Sequence, residues 1–174
     1  MTSAGTSIEV QVATRSRSVP RRDEIERWAS ETLVTLGRSG AVTLRLVDRA
    51  EGEQLNEFFR GTLGKTGPTN VLSFPYQPPE GLPGELDLEI LGDIVLCAPV
   101  ITAEARAQAK SSRDHWAHLV VHGVLHLLGY EHEDGVAAER MEALERKLLW
   151  AYGIPDPYEV RSGFAIAREE NSDG

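Results

Sequence analysis

The sequence predicts a fold of four short strands and five helices, and three observations lead there. Apolar and polar residues alternate in short segments such as 8–12 and 42–47, the two-residue period of half-buried strands. Longer stretches repeat their apolar residues every three to four positions, the period of amphipathic helices. Glycine and proline fall between these segments, where turns are needed.

Taken in order, residues 1–7 form a polar tail, and Ile8-Glu-Val-Gln-Val12 is the first strand. Pro20 suits the first turn of a helix, with Asp23, Glu24 and Glu26 near its positive end. Ile25, Trp28, Ala29, Thr32, Leu33 and Leu36 give that helix an inner face, and Gly37 ends it. Val42–Val47 is the second strand. Asp48 is placed to cap the next helix, which turns Leu55, Phe58 and Phe59 inward and closes at Arg60. After a glycine-rich loop, residues 68–75 read as an edge strand bounded by prolines. Residues 86–91 and 94–96 form a last strand interrupted at Gly92-Asp93, where glycine implies a bulge or a close backbone approach. Three helices follow, at 98–110, from about 113, and at 134–150, where Met141, Leu144, Leu148 and Leu149 face inward. Residues 161–174 read as an acidic tail, so the whole of 1–174 is expected to be a single domain with flexible ends.

The chemistry concentrates in His122-Gly-Val-Leu-His126-Leu-Leu-Gly129-Tyr-Glu-His132. His122 and His126 lie one turn apart on the same helix face. Gly129 supplies the left-handed residue that ends a helix, and the returning chain brings His132 within reach. Three neutral imidazoles leave one tetrahedral position open, the pattern of a catalytic zinc site. The spacing matches the metzincin proteases except at Gly123, where those enzymes carry a glutamate that serves as general base. A metal site is therefore expected, and peptidase chemistry is not. His115 and His118 are too far along the axis to share an ion with His126. They are assigned a supporting or surface role.

Composition narrows the setting. At 41% hydrophobic and 26% charged residues the chain is ordinary for a globular protein, and no apolar run approaches the length of a bilayer. A lone Cys97 forms no internal disulfide, and the N-terminus lacks a hydrophobic signal segment, so a cytoplasmic location is expected. A net charge of −9 argues against bulk electrostatic adhesion to nucleic acid. Residues 1–65 nevertheless carry +1 while 66–174 carry −10, which places any phosphate grip in the first part of the chain and at the metal.

Together, Arg60, the Pro-Thr-Asn-Val-Leu-Ser-Phe-Pro run at 68–75, Leu-Gly-Asp-Ile at 91–94, the histidine run at 122–132 and Asp-Pro-Tyr at 156–158 resemble the YbeY family of metal-dependent endoribonucleases. The resemblance covers residues 8 to about 158. It implies an α+β fold, a small mixed four-stranded sheet packed with about five helices, the metal-binding helix central. It implies one zinc ion per chain on His122, His126 and His132, with Arg60 and His122 as catalytic residues. The implied activity is cleavage of single-stranded RNA late in ribosomal RNA processing, at the 3′ end of the 16S rRNA, together with ribosome quality control. The implied partners are ribosomal RNA and the small ribosomal subunit, with no DNA and no membrane. Asp93 is a candidate acid near the metal or a structural residue at its bulge, and Ser73 is expected to bond backbone. Two other classes fit the residues: a zinc metallohydrolase acting on peptides or another phosphoester, and a ribosome-associated binding module with structural zinc.

Overall fold

The computed structural model of the protein describes residues 5–60 (58–60 through their backbone alone), 69–77, 89–131 and 134–158. Its elements run β1 (Ser7–Val12), α1 (Arg22–Thr35), β2 (Ala41–Val47), α2 (Arg49–Arg60), β3 (Val71–Pro75), β4 (Ile90–Cys97), α3 (Ala98–Ala107), α4 (Ser112–Leu127) and α5 (Gly135–Trp150). The strands form one mixed sheet in the order β1-β2-β4-β3. β1, β2 and β4 are parallel, and β3 runs antiparallel along the outer edge of β4. The α+β class, the four strands, the five helices and the edge position of β3 all match the sequence expectation.

Several local expectations need correction. Strand β1 opens at Ser7, inside the stretch read as a tail, because Ser7 N–H already bonds the carbonyl of Gly40. Pro20 stands just ahead of α1, which begins at Arg22 after an extended Arg21 whose carbonyl accepts from Glu24 and Ile25. Asp48 does accept the first helical bond of α2 through its backbone, from Gly52. Its carboxylate instead takes Thr14 Oγ1 and the backbone N–H of Arg15, which the register of β1 on β2 carries alongside. Residues 61–67, 86–88, 132 and 161–174, on which other expectations fall, lie outside the described residues.

Strand β4 passes through Gly92 and Asp93 without a break, but the glycine expectation holds in its physical content. Ala41 pairs with Ile90 and Val42 with Gly92, so Leu91 is the extra residue of a bulge. Gly92 has φ +144°, and a Cβ there would lie 2.3 Å from the carbonyl oxygen of Phe74 on β3. Only glycine lets the edge strand close on β4 at this point.

Alternation along β4 divides the core. Ile94 and Leu96 pack toward α1 and α4 in the main cluster, whereas Val95 and Cys97 join Val47 and Leu72 in a smaller cluster on the other face, against Leu55 and Val100. Helix α4 is buried on nearly all sides, from Trp116 and Ala117 through Val120, Val121, Val124 and Leu125. A helix buried on most of its faces belongs inside a fold, and α4 is the central helix. Ser111 caps its start by accepting from Asp114 N–H at 3.0 Å. Its end is a Schellman turn: Tyr130 N–H returns to Leu125 O and Gly129 N–H to His126 O, with Gly129 at φ +96°. Among the described residues no helix is long and apolar enough to cross a membrane.

Candidate metal centre

The polar stripe of this buried helix holds the site. His122 and His126 face one way from the last two turns of α4, and their Nε2 atoms lie 3.1 Å apart. Two nitrogens bound about 2.0–2.1 Å from one tetrahedral zinc would stand roughly 3.3 Å apart, so the pair fits a shared ion. Both rings are partly exposed, as a site that meets substrate requires. His132, the third expected ligand, lies outside the described residues.

One residue that sequence reasoning missed joins the histidines together. Glu145 on α5 has no solvent exposure, and its Oε2 accepts from His118 Nε2 at 2.7 Å and from His122 Nδ1 at 3.2 Å. Its Oε1 accepts from Tyr158 O–H at 2.6 Å. Burial pushes the Glu145 carboxyl up, but hydrogen bonds from His118 and His122 and their charge outweigh it and hold it down at about 2. Burial also lowers His118, more than Glu145 raises it, and so favours the neutral ring. Tyr158 is pushed up by burial and by its bond to Glu145.

The segment after α5 is therefore part of the site. Lys110 Nζ bonds Pro157 O at 2.5 Å, Arg146 pairs with Asp156 at 2.9 Å, and Arg146 also lies over the Tyr158 ring. These contacts seat the Asp-Pro-Tyr run and bring Tyr158 edge-on to His118, with 5.4 Å between ring centroids. One signal in the sequence could have found Glu145. It falls on the same helical face as Met141, Leu148 and Leu149, and an acid on an apolar stripe needs a partner.

A second carboxylate serves His115. Glu104 on α3 accepts from His115 Nε2 and from Asn70 Nδ2, both at 2.9 Å. Asn70 thereby ties the start of β3 to α3. His115 and His118 are thus buried and carboxylate-bound, which removes the surface reading of both.

Ser73 Oγ donates to the Gly123 carbonyl at 3.1 Å, the backbone role expected of it. Asp93 alternates onto the sheet face away from α4, so it does not stand beside the histidines; its carboxyl is raised by burial and by Glu9. Arg60 is the last residue of α2, and its side chain lies outside the described residues.

Two donor sets can be drawn from these atoms. Nitrogen and oxygen atoms of His118, His122 and Glu145 all lie within 4.8 Å of one another and could hold a metal ion. His122 and His126 form the other set. The two share His122 and differ in which of its ring nitrogens faces the ion.

The fold and site define a mixed α+β protein built on a buried helix with a histidine-rich, carboxylate-backed metal centre. The model of the family described as Endoribonuclease YbeY matches residues 9–153. Endoribonuclease YbeY of Halorhodospira halophila is 51% identical over 144 residues, 83% of this chain and 91% of that protein. The protein of that name from Alkalilimnicola ehrlichii is 51% identical over 156 residues, 88% of this chain and 91% of that one. The one from Nitrosococcus oceani is 45% identical over 153 residues, 88% and 97% of the two chains. The chain belongs to the endoribonuclease YbeY family. Among solved structures, TM1509 from Thermotoga maritima superposes with a TM-score of 0.53 at 21% identity, over 86% of this chain and 99% of that one, a likeness that bears on the fold alone.

Proposed function

We propose that this chain is a zinc-dependent endoribonuclease specific for single-stranded RNA, a single domain over residues 1–174. In this reading it acts in the cytoplasm, late in ribosomal RNA processing at the 3′ end of the 16S rRNA, and in ribosome quality control. Its zinc, one per chain, is held by His122, His126 and His132. The observation that carries the metal reading is the Nε2 pair of His122 and His126, 3.1 Å apart on the partly exposed end of an otherwise buried helix. RNA as substrate rests on the name its relatives bear.

A zinc ion so bound supplies Lewis acidity toward a phosphoryl oxygen and brings the pKa of water toward neutrality. The chain's own residues do the rest. His122 and His126 present ring nitrogens from a helix buried on nearly all sides, which fixes their aim. Arg60 binds the phosphate through a planar, permanently charged fork. Gly123 offers no carboxylate where a protease would hold its base, so the site has no peptidase machinery at that position.

Charge supports a single-stranded substrate delivered by a partner. With a net charge of −9 the protein gains little from counterion release along a duplex. A local grip needs a strand that can bend into it, which unpaired RNA does and an A-form helix does not. Presentation on the small ribosomal subunit raises the effective concentration of that strand. Cleavage of matched single-stranded and duplex RNAs, and of ribosomal RNA free and in assembled particles, tests this. Faster cleavage of the single strand and a gain from the particle are expected. Equal rates in either comparison would overturn that part of the proposal.

A further inference from the structure

We infer that Glu145 is a positioning residue that sets the tautomer and aim of His122, with Tyr158 holding the carboxylate in place for the task. The inference rests on the metal reading above and names the residue behind the ligand. An ionised carboxylate is an acceptor only, so the three groups on Glu145 must all donate: His118 Nε2–H, His122 Nδ1–H and Tyr158 O–H. A neutral imidazole carries one N–H. Once Nδ1–H of His122 points to Glu145, its Nε2 holds the lone pair, and Nε2 is the nitrogen 3.1 Å from His126. A residue on α5 thus decides which atom of a residue on α4 can bind a metal.

Proton placement distinguishes the two donor sets. For Glu145, His118 Nε2 and His122 Nδ1 to bind one ion, both imidazoles would lose the protons they now donate. His118 would then carry its proton on Nδ1, which is buried without a partner among the described residues, and an orphaned buried N–H is rarer than an orphaned lone pair. Glu145 is also fully buried, whereas His122 is reachable from solvent. The carboxylate–histidine pair therefore stands behind the ligand, an arrangement that raises ligand basicity and fixes the ring. Tyr158 matters because it occupies Oε1 and leaves Oε2 to serve both imidazoles. The Asp-Pro-Tyr run, far along the chain, belongs to the centre through this bond.

Two measurements on the full chain test the inference. Long-range ¹H–¹⁵N spectra of the metal-free protein, at a pH where the rings are neutral, should show His122 protonated on Nδ1. His122 protonated on Nε2 would overturn it. Competition with a chromophoric chelator should show Glu145→Gln binding zinc about 10- to 100-fold more weakly than wild type, and Tyr158→Phe losing less in the same direction. Unchanged affinity in Glu145→Gln, at unchanged helix content, would also overturn it. Failure of the wild type to take up zinc would instead sink the metal reading, and the spectrum of the metal-free wild type would still decide the tautomer. That spectrum likewise decides the matter if Glu145→Gln does not fold.

Discussion

Gly123 lies so close to Ile94 that a Cβ on it would stand 2.8 Å from Ile94 Cγ2. The residue after the first site histidine is therefore where α4 presses on the sheet, and its smallness is a packing requirement. Gly123→Ala would gain about 1 kcal/mol of helix propensity but meet overpacking of about 1–3 kcal/mol. The expected net is a loss of up to about 2 kcal/mol in urea denaturation. Gly123→Glu, which restores the protease pattern, would force a charge into the apolar seam and lose at least about 3 kcal/mol. It should show no cleavage of peptides. A stable Gly123→Glu variant with peptidase activity would contradict this account of the seam.

Gly92 should tolerate substitution even less. Its φ of +144° and the Phe74 carbonyl at 2.3 Å from any Cβ combine backbone strain with a clash against backbone, which cannot step aside. Gly92→Ala is expected to cost at least about 3 kcal/mol and to loosen β3 first. Hydrogen exchange should show it, with amides of 71–74 losing protection before those of β1. Equal protection throughout would mean that the contact does not hold the edge strand.

Glu145 contributes to the acid limb of stability. Its carboxyl is held at about 2 in the folded protein against an ordinary 4.5, so it favours the fold fully above 4.5. That contribution fades as pH falls from 4.5 toward 2, because the unfolded chain takes up the proton first. Melting temperature should drop across this window in the wild type and drop less steeply in Glu145→Gln. Parallel curves for the two would contradict the assignment.

Much of this was legible in the sequence because local rules and tertiary packing agreed. The alternation in 42–47, the helical spacing around Trp28 and Leu33, and the glycine that turns the chain at 129 each state their structure directly. The histidine pair was legible because one turn of helix fixes its spacing. What stayed hidden depends on which elements face each other. Glu145 looks like any helical acid until α5 lies against α4. Asp93 read equally as an acid near the metal or a structural residue at its bulge, and strand alternation sends it to the face away from α4. Asp48 looked like a side-chain cap until β1 placed Thr14 beside it. The aims of Arg60 and His132 stand as readings of the sequence.

Arg60 is expected to serve the phosphate and to contribute little to the fold. Arg60→Ala should melt within the small range typical of surface substitutions while losing most RNA turnover. Arg60→Lys should recover little, because an ammonium cannot reproduce the bidentate fork. Full activity in Arg60→Ala, or its unfolding, would remove the assignment.

The central claim is that RNA cleavage depends on one metal ion held by the histidines of this helix and the turn after it. Zinc titrated into the chelated protein, with the initial rate of single-stranded RNA cleavage read at each addition, tests it most directly. The rate should start near zero, rise in proportion to added zinc and level off at one ion per chain. A rate that is already full after chelation, or that shows no break at one equivalent, would contradict the account.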